Sequence, residues 1–291
     1  MAELITLAQE LWNGDLHIAF QNKGYQLAAW CQRGGAVDGM RMYFPKLAAE
    51  AGDGQAQNAV GAMLTFEPGD HSQVFIDMVD RFAKPLALRP LDLKKVVSNT
   101  DYRVAYAQNQ LNQLGRYADT QVMNAFLAGK NATTLGPASG TALNLGHFDA
   151  LREAFDLAEV PDDGQRVVFV HPKTWSQLIK FREFSTQEWI GSEDLPYKGH
   201  GLQGKRWQTF QWITYSRTPT GGSGNRMARN MVWHPSCMAH GTNSAPETLM
   251  TPETLLGGQI AVVTKQSMGA GVIDNTAVYE FQVDTQTPPS T

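Results

Sequence analysis

The fold is decided by residues 91–129, which read LDLKKVVSNTDYRVAYAQNQLNQLGRYADTQVMNAFLAG. Apolar residues recur along this stretch at spacings of mostly three and four, which places them on one stripe of an α-helix. The stripe consists of Val97, Val104, Ala107, Leu111, Leu114, Ala118, Val122 and Ala125. A helix that begins near Thr100, after a cap at Asn99 or Ser98, and ends at Gly129 has about 30 residues and a length of roughly 45 Å. Such a rod is longer than a compact domain of this size requires.

The face opposite the stripe carries uncharged amides instead of the Lys and Glu of a merely solvated helix. These amides are Gln108, Asn109, Gln110, Asn112 and Gln113. Because amides both donate and accept hydrogen bonds, they suit a surface that touches varied neighbours. An ordinary amphipathic helix is the alternative interpretation, and the stripe alone does not separate the two.

The bulk composition is that of a globular protein. The 291 residues carry a formal net charge of -4, 42% are hydrophobic and only 18% are charged, which fits one large domain or two modest ones. Because the chain is slightly acidic and has no run of Lys or Arg, we expect no tight capture of nucleic acid or anionic lipid. The first residues do not read as a secretory signal, and no apolar run reaches the roughly 18 residues that cross a bilayer. Cys31 and Cys237 make no disulfide framework, as expected of a chain that folds in reducing cytoplasm.

The beginning of the chain reads as an arm followed by a long hairpin. Residues 2–12 predict a short amphipathic helix, and glycines then interrupt the sequence. Met40, Met42 and Phe44 alternate with other residues as in a strand, and a second alternating run follows at 74–78. The roughly 22 residues between the runs form too long a loop for a compact domain, so we expect a projecting hairpin. Isolated two-stranded ribbons are marginal in water, so this hairpin needs a surface to lie on.

The second half of the chain alternates between helices and strands. The apolar pattern predicts a helix at 145–158, a strand buried on both faces at 167–170 and a helix from Pro172. Further predicted elements are strands at 208–216, 230–233, 259–264, 271–273 and 277–283 and a helix at 236–240. A strand followed directly by a helix indicates an α/β layer, and the expected fold class for the whole chain is α+β.

A glycine-rich segment matches the beginning of a phosphate-binding loop. Gly199 to Lys205 fits the first seven positions, but Arg206 stands where a Ser or Thr must hold magnesium. The residues that follow read as a strand rather than as the helix that such a loop requires. We therefore expect no nucleotide site, and we assign no other cofactor.

A zinc site is the alternative from a different class of function. His234, Cys237 and His240 would share one face of a helix, and imidazole and thiolate are zinc ligands. A fourth ligand would come from elsewhere, with His171 and Asp194 as candidates. A short helix after a strand more often buries its cysteine as a small apolar residue. No nucleophile elbow is present either, so we assign no catalytic, cofactor-binding or metal-ligating residue and keep a zinc-dependent enzyme as an alternative only.

The order of the parts resembles the major capsid proteins of tailed bacteriophages, the Caudovirales, which have the Hong Kong 97-type fold. An arm, a long hairpin, a long helix, an α/β domain, a glycine-rich loop and closing strands follow one another from about Ala2 to Asp284. The most specific segments are 159–178 with RVVFVHP, 208–219 ending in SRTP, and GAGVIDNTAVYEF from Gly269. The resemblance implies an N-arm at 1–36, an extended hairpin loop (E-loop) at 37–80, a peripheral domain with the long helix at 81–145 and 257–285, an axial domain at 146–256, and a disordered tail at 286–291.

By the same resemblance, the chain is a coat protein without enzymatic activity that self-assembles through pentamers and hexamers into the icosahedral head of a virion. The shell would enclose double-stranded DNA, which it contacts weakly and non-specifically, and no membrane is implied. The N-arm and the E-loop would make the contacts between capsomers, since their apolar sides would find cover only on sister molecules. Assembly in the bacterial cytoplasm would involve a separate scaffolding protein and the portal, and a cement protein could decorate the outside.

Two features differ from those of some relatives. Some carry a helical scaffolding segment ahead of the arm, whereas here the arm starts at residue 1, so guidance would come from a separate protein or from a segment already removed. Some also join subunits covalently through a loop lysine and a distant asparagine. Residues 48–73 contain no lysine, so we predict no such cross-link. An encapsulin-like cellular compartment, which shares the fold but packages an enzyme, is the alternative among structural proteins.

Overall fold

The structure of the chain is a computed structural model. It describes residues 24–34, 36–38, 40–47, 71–84, 86–88, 100–185, 205–222, 224, 226–243, 245–253 and 259–290. The predicted helix at 2–12, the tip of the hairpin and the glycine-rich loop at 191–204 lie outside these ranges.

The longest element is helix α1, Thr100–Gly129, which begins and ends where the sequence predicted. Side chains described from residue 107 onward are buried every four residues, at Gln110, Leu114, Ala118, Val122 and Phe126. The predicted stripe is therefore correct over the second half of the helix, but it is wrong at Leu111, whose side chain is 41% exposed. Gln110 takes the buried place instead, because its amide is hydrogen bonded to a strand that passes over the helix.

A small antiparallel sheet contains the predicted hairpin. β1 spans Ala36–Asp38, β2 spans Arg41–Leu47 and β3 spans His71–Asp77. β2 pairs with β3 from Arg41 opposite Asp77 to Leu47 opposite His71, and it pairs with β1 at its beginning. Both alternating runs of the sequence are thus strands of one hairpin, while residues 48–70 lie outside the described part of the chain.

A second sheet is built around one long strand, β14, Gln259–Val272. Four shorter strands pair antiparallel with it: β4 (Val79–Phe82), β5 (Leu86–Leu88), β12 (Met238–Thr242) and β13 (Glu247–Glu253). Helix α1 packs against β14. The sequence predicted separate strands at 259–264 and 271–273, but the pairing of β4 and β12 with the residues between them keeps the backbone extended throughout.

The third sheet holds the predicted central strand, β7, Val167–Val170. The other strands along its main path are β6 (Thr134–Leu135), β15 (Val278–Asp284), β11 (Met227–Trp233), β9 (Phe210–Thr214) and β8 (Lys205–Trp207), and β10 (Thr220–Gly221) pairs with β11. β7 lies between antiparallel β11 and parallel β9, and all four of its side chains are buried. The run of apolar residues was therefore read correctly.

Three helices accompany this sheet: α2 (Leu145–Leu157), α3 (Pro172–Leu178) and α4 (Arg182–Ser185). Asn144 caps α2 by accepting the backbone N–H of His147 at 3.2 Å. The helix buries Phe148, Leu151 and Phe155, as predicted. Phe148 meets Trp207 and Trp212 edge to face at centroid distances of 5.1 and 5.7 Å, so aromatic packing fixes the helix on the sheet.

The predicted helix at 236–240 is wrong. A 3-10 turn covers only Pro235–Cys237, and the chain then enters β12. Strand pairing decides the difference, because Met238 lies opposite Val272 and His240 lies opposite Ala270.

The predicted disorder of the tail at 286–290 is also wrong. Asp284 accepts the backbone N–H groups of Gln286 and Thr287 at 2.9 and 3.3 Å. The side chain of Gln177 donates to the carbonyl oxygen of Thr287, and the N–H of Ser290 donates to that of Leu143. The polar composition of the tail suggested a solvated end, but these hydrogen bonds hold it on the body.

The closing strands belong to two different sheets. β14 lies with α1, whereas β15 pairs with β11 along its whole length, from Met227 opposite Asp284 to Trp233 opposite Val278. The segment 257–285, expected in the peripheral domain, therefore supplies one strand to the sheet that also contains β7 and β9 of the expected axial domain. Among the described residues, no helix has the length and apolar character needed to span a membrane.

Candidate assembly surfaces

The base of the hairpin rests on its own chain. Its buried cluster combines Ala239 of β12 with Met42, Phe44, Ile76 and Met78. The hairpin approaches β14 so closely that a β-carbon on Gly269 would lie 2.6 Å from the carbonyl oxygen of Asp77. The expectation that the hairpin finds cover only on sister molecules is therefore wrong for its base. Gly269 begins one of the segments that carry the family resemblance, and the structure shows that it leaves room for this approach.

An ion pair fixes the hairpin at a second point. Nζ of Lys46 lies 2.8 Å from Oδ2 of Asp274, in the turn between β14 and β15. Burial alone would raise the pKa of Asp274, but the bonds from Lys46 and Thr276 outweigh it and lower that pKa. The direction of the hairpin is thus set by both packing and charge.

The same region also exposes large apolar side chains. Among the described residues, four of the six large apolar side chains that are exposed lie between residues 40 and 82. They are Met40 (49% exposed), Phe75 (55%), Val79 (44%) and Phe82 (61%), which we call the exposed apolar set. Phe75 meets Tyr43 edge to face at 5.2 Å, and a pair of Arg41 with Asp77 at 2.7 Å lies beside them. Apolar exposure concentrated in this way is typical of a protein contact surface.

The chain that precedes the hairpin is also attached to the body. Residues 24–32, which we call the strap, bury Leu27 and Ala28. Nε1 of Trp233 donates to the carbonyl oxygen of Trp30 at 2.9 Å, and the N–H of Gln32 donates to that of Met238 at 2.8 Å. The expected N-arm at 1–36 is therefore not free along its described part, and an arm that reaches a neighbour would have to precede residue 24.

The zinc candidates do not converge. His240 lies on β12 and lines a cavity with Tyr25, Arg33 and Met42, whereas His234 lines a different one with Cys31 and Asp163. Cys237 is buried in the main core, and burial is the largest cause of its raised pKa. Within the described ranges, no group of three or more His, Cys, Asp and Glu residues has metal-site geometry. The predicted helix at 236–240 was the basis for a shared face of the three side chains, and the structure has a 3-10 turn and a strand there instead.

The two candidate fourth ligands do not rescue the site. Nδ1 of His171 accepts the backbone N–H of Lys173 at 3.2 Å, which caps α3. Asp194 lies outside the described residues. The glycines at 199–204 of the phosphate-loop match do as well, but Lys205 begins β8, so a strand follows the match as the sequence predicted.

His234 contacts an acid and a serine without the setting of a nucleophile. Its Nε2 lies 3.2 Å from Oδ1 of Asp163, and its Nδ1 lies 2.7 Å from Oγ of Ser236. Nδ1 also accepts the backbone N–H of Ser236 at 3.4 Å, so the ring caps the 3-10 turn at Pro235–Cys237. The three side chains serve to fix the link between β11 and β12.

A comparison of the sequence with protein-family models indicates what these surfaces are for. A family model described as phage capsid protein matches residues 4–284. The chain belongs to this family. A comparison with curated proteins found no match. The match spans the strap, the hairpin, α1 and the strands of all three described sheets, and it ends where β15 ends, at residue 284.

Solved structures of phage capsids have the same fold. The capsid of cyanophage P-SCSP1u is 14% identical over 92% of this chain and 90% of that one, with a TM-score of 0.66. The capsid of the native GTA particle is 10% identical over 93% of each chain, with a TM-score of 0.67. The mature capsid of bacteriophage PhiM1 is 12% identical over 93% of this chain and 90% of that one, with a TM-score of 0.64. The expected Hong Kong 97-type fold is therefore confirmed.

The phage capsid protein is a structural component of the virion and assembles with copies of itself into a shell. Its functional residues are consequently those that shape contacts, and it is not an enzyme. Alternating apolar residues predicted the hairpin, but not which of its faces would be covered.

Proposed function

We propose that copies of this phage capsid protein form pentamers and hexamers that close into an icosahedral head around double-stranded DNA. The exposed apolar set is the observation that supports contacts through the hairpin and the adjoining strand β4, because it leaves Phe75 of β3 and Phe82 of β4 in water on a single chain. In a closed shell, each subunit supplies the surface that its neighbours lack. The net charge of -4 fits weak and non-specific contact with the DNA inside.

We propose the following roles for the parts of the chain. The N-arm at 1–36 reaches a neighbour through the residues before the strap, and the E-loop at 37–80 does so through its outer side. The peripheral domain at 81–145 and 257–285 carries α1, and the axial domain at 146–256 meets its copies around the five-fold and six-fold axes. β15 joins the two domains, since it pairs with β11.

Other partners follow from the same proposal. A scaffolding protein would guide assembly in the bacterial cytoplasm, and the portal would occupy one vertex. A cement protein on the outside is a third partner. Expression of the chain with and without each protein, followed by electron microscopy, distinguishes their effects on particle size and yield.

The test of the proposal is particle formation by the purified chain, alone and with a scaffolding protein. We expect closed particles by negative-stain microscopy for the unaltered chain. The double variant Phe75→Asp and Phe82→Asp should remain folded by circular dichroism but fail to form them. Ala150→Asp, which adds a charge at an exposed position of α2, is the matched control and should assemble.

Two results would contradict the proposal. An unaltered chain that stays monomeric under every condition would exclude shell formation, and normal assembly of the double variant would exclude contacts through the exposed side chains of the hairpin and β4. The content of the particles separates the two kinds of shell. DNA inside supports a phage head, whereas a packaged enzyme would indicate an encapsulin-like compartment instead.

A further inference from the structure

The strap crosses helix α1 at a contact between two glycines. A β-carbon on Gly115 of α1 would lie 2.7 Å from Cδ2 of Tyr25, and Gly24 has a positive φ of 68°. The backbone N–H of Tyr25 donates to the carbonyl oxygen of Gly115 at 3.2 Å. The hydroxyl of Tyr25 donates to Oε1 of Gln266 on β14 at 2.8 Å. The chain therefore passes over the helix at backbone distance before it turns along the body.

One helical turn beyond this crossing, a buried carboxylate holds the strap. Asp119 is 0% exposed and lies four positions after Gly115, so both lie on the same face of α1. Its Oδ1 accepts the N–H groups of Leu27 and Ala28 at 2.9 and 3.4 Å. Its Oδ2 accepts the N–H of Gln26 at 3.3 Å.

These three amides are at the beginning of the strap's only described turn, the 3-10 turn Ala28–Trp30, whose own N-cap residue makes no side-chain bond. Free N–H groups at such a beginning attract negative charge. Asp119 acts as the cap of this turn although it is 92 residues from Leu27 in the sequence.

The titratable and charged groups that face Asp119 come from two segments. The strap contributes Tyr25 and Cys31, and the chain after β9 contributes Tyr215 and Arg217. Burial, followed by the charge of Asp119, raises the pKa values of Tyr25, Cys31 and Tyr215. Nη1 of Arg217 donates to the carbonyl oxygen of Arg116 at 3.0 Å, which keeps a cation near the same turn of α1.

The pKa of Asp119 itself reflects two opposing causes. Burial raises it, while the amides of Leu27, Gln26 and Ala28 and the charge of Arg217 lower it, with a net increase. A carboxylate kept in such a place without these amide partners would be costly, so the strap and Asp119 depend on each other.

We propose that Asp119 is the positioning residue for the leading arm, because it holds the strap on α1 and thereby fixes Gly24, the residue to which the preceding part of the chain is joined. The inference rests on the proposed function, since the arm matters only in a shell. Loss of the carboxylate would release residues 24–28 from α1, so the position of Gly24 relative to α1 would no longer be fixed. Shells would then close poorly although the sheets remain folded.

The experiment compares Asp119→Asn with the unaltered chain. Asparagine keeps the size of the side chain but loses the charge and one acceptor. Hydrogen exchange of unassembled protein should be about tenfold or more faster at the amides of residues 26–28, since bonds to charged groups are the stronger ones. Exchange in β7 and β11 should not change. Asp162→Asn, at an exposed aspartate, is the control and should exchange as the unaltered chain does.

A second variant tests the same idea without altering charge. Gly115→Ala adds a methyl group against the ring of Tyr25, so it should lift the strap and also speed exchange at residues 26–28. It also keeps the proposal testable if Asp119→Asn does not fold. Unchanged exchange at these amides in both variants, or an equal increase in β7 and β11, would overturn the proposal.

Particle formation distinguishes a positioning role of Asp119 from a purely structural one, because a merely structural role would leave the closure of shells unchanged. By microscopy, Asp119→Asn should yield open or irregular shells under conditions in which the unaltered chain closes. Regular closed shells from this variant would overturn the positioning role. If the unaltered chain forms no shell, the proposed function fails, while the exchange data still decide whether Asp119 holds the strap.

Discussion

Arg229 on β11 and Glu280 on β15 form a two-point ion pair across neighbouring strands. Nε and Nη2 of Arg229 lie 2.6 and 2.7 Å from the two carboxylate oxygens of Glu280. Lys130, which directly follows α1, approaches the same carboxylate at 3.1 Å, and Gln282 donates to it at 2.7 Å. Burial alone would raise the pKa of Glu280, but these donors lower it to about 2. The carboxylate thereby ties the end of α1 to the sheet that contains β7.

Replacement of this carboxylate should be among the most destabilising single changes in the chain. Glu280→Gln leaves Arg229 and Lys130 beside a neutral group in a buried place, which typically costs about 3 kcal/mol. Urea unfolding of the unassembled protein measures the loss. Glu153→Gln, at an exposed position of α2, should change the free energy of unfolding by less than about 0.5 kcal/mol. Similar values for the two variants would show that the pair does not stabilise the fold.

A buried amide couples α1 to the second sheet. Nε2 of Gln110 donates to the carbonyl oxygen of Val262 at 3.1 Å, and its Oε1 accepts from the hydroxyl of Thr264. Gln110→Leu removes both of these buried hydrogen bonds, although the hydroxyl of Thr264 keeps its bond to that of Thr248, so it should cost about 1–3 kcal/mol in unfolding free energy. Gln108→Leu makes the same change at an exposed amide of the same helix and should be nearly neutral. Equal stability of the two variants would refute the coupling.

A buried histidine should make the fold sensitive to mild acid. Burial, followed by the nearby charge of Arg33, lowers the pKa of His240 from 6.5 to about 4. The unfolded chain therefore takes up this proton at a higher pH than the folded chain does. The free energy of unfolding should fall as the pH decreases from about 6.5 to about 4, by up to about 3 kcal/mol from this residue.

The variant His240→Gln isolates that contribution. It removes the titrating group, so its stability should depend less steeply on pH than that of the unaltered chain over the same range. Thermal unfolding measured at half-unit intervals of pH provides the two curves. Parallel curves would mean that His240 does not titrate in this way.

The space at Gly269 should be needed for the hairpin. Gly269→Ala brings a methyl group against the backbone oxygen of Asp77, which cannot move as a flexible side chain could, so a loss of about 1–3 kcal/mol is expected. Hydrogen exchange in β2 and β3 should increase as well. Gly146→Ala is the control, since the nearest atom to its β-carbon, Oδ1 of Asn144, is 3.5 Å away. In that helix alanine should stabilise by about 0.5–1 kcal/mol, and a similar gain at Gly269 would exclude the close approach.

The sequence predicted an element correctly where one local pattern decides its structure. α1, the strands of the hairpin and β7 were predicted because helical spacing, alternation and a continuous apolar run each fix an element locally. The segment 236–240 was read incorrectly because Pro235 suits the start of a helix, while pairing with β14 lies outside any local window. Strand partners distant in the chain override local preference.

The residues that organise the assembly surfaces were missed for a related reason. Asp119 carries no motif, and its partners are the backbone amides of residues 26–28, which no side-chain pattern reveals. Gln110 was assigned to an outward amide face, although only the path of β14 shows that it points inward. The sequence did offer one indication of these residues, namely a charged or amide residue beside an otherwise apolar helical stripe. Such a group is buried only when it is hydrogen bonded, so its position predicts a buried bonding partner.

The subunits of an assembled shell should not be linked covalently through the hairpin loop. Residues 48–73 contain no lysine, so the loop between the hairpin strands lacks the amine that an isopeptide bond to an asparagine requires. Assembled shells boiled in denaturant should therefore give one band near the 32.0 kDa of the single chain on a gel. Introduction of a lysine, as in Gln55→Lys, tests whether a suitable asparagine lies within reach. A ladder of covalent multimers from that variant alone would show that the loop lacks only the lysine amine. Lys46, the lysine nearest to the loop, is already paired with Asp274, so we do not expect it to supply the amine instead. A ladder of multimers from the unaltered chain would refute the prediction.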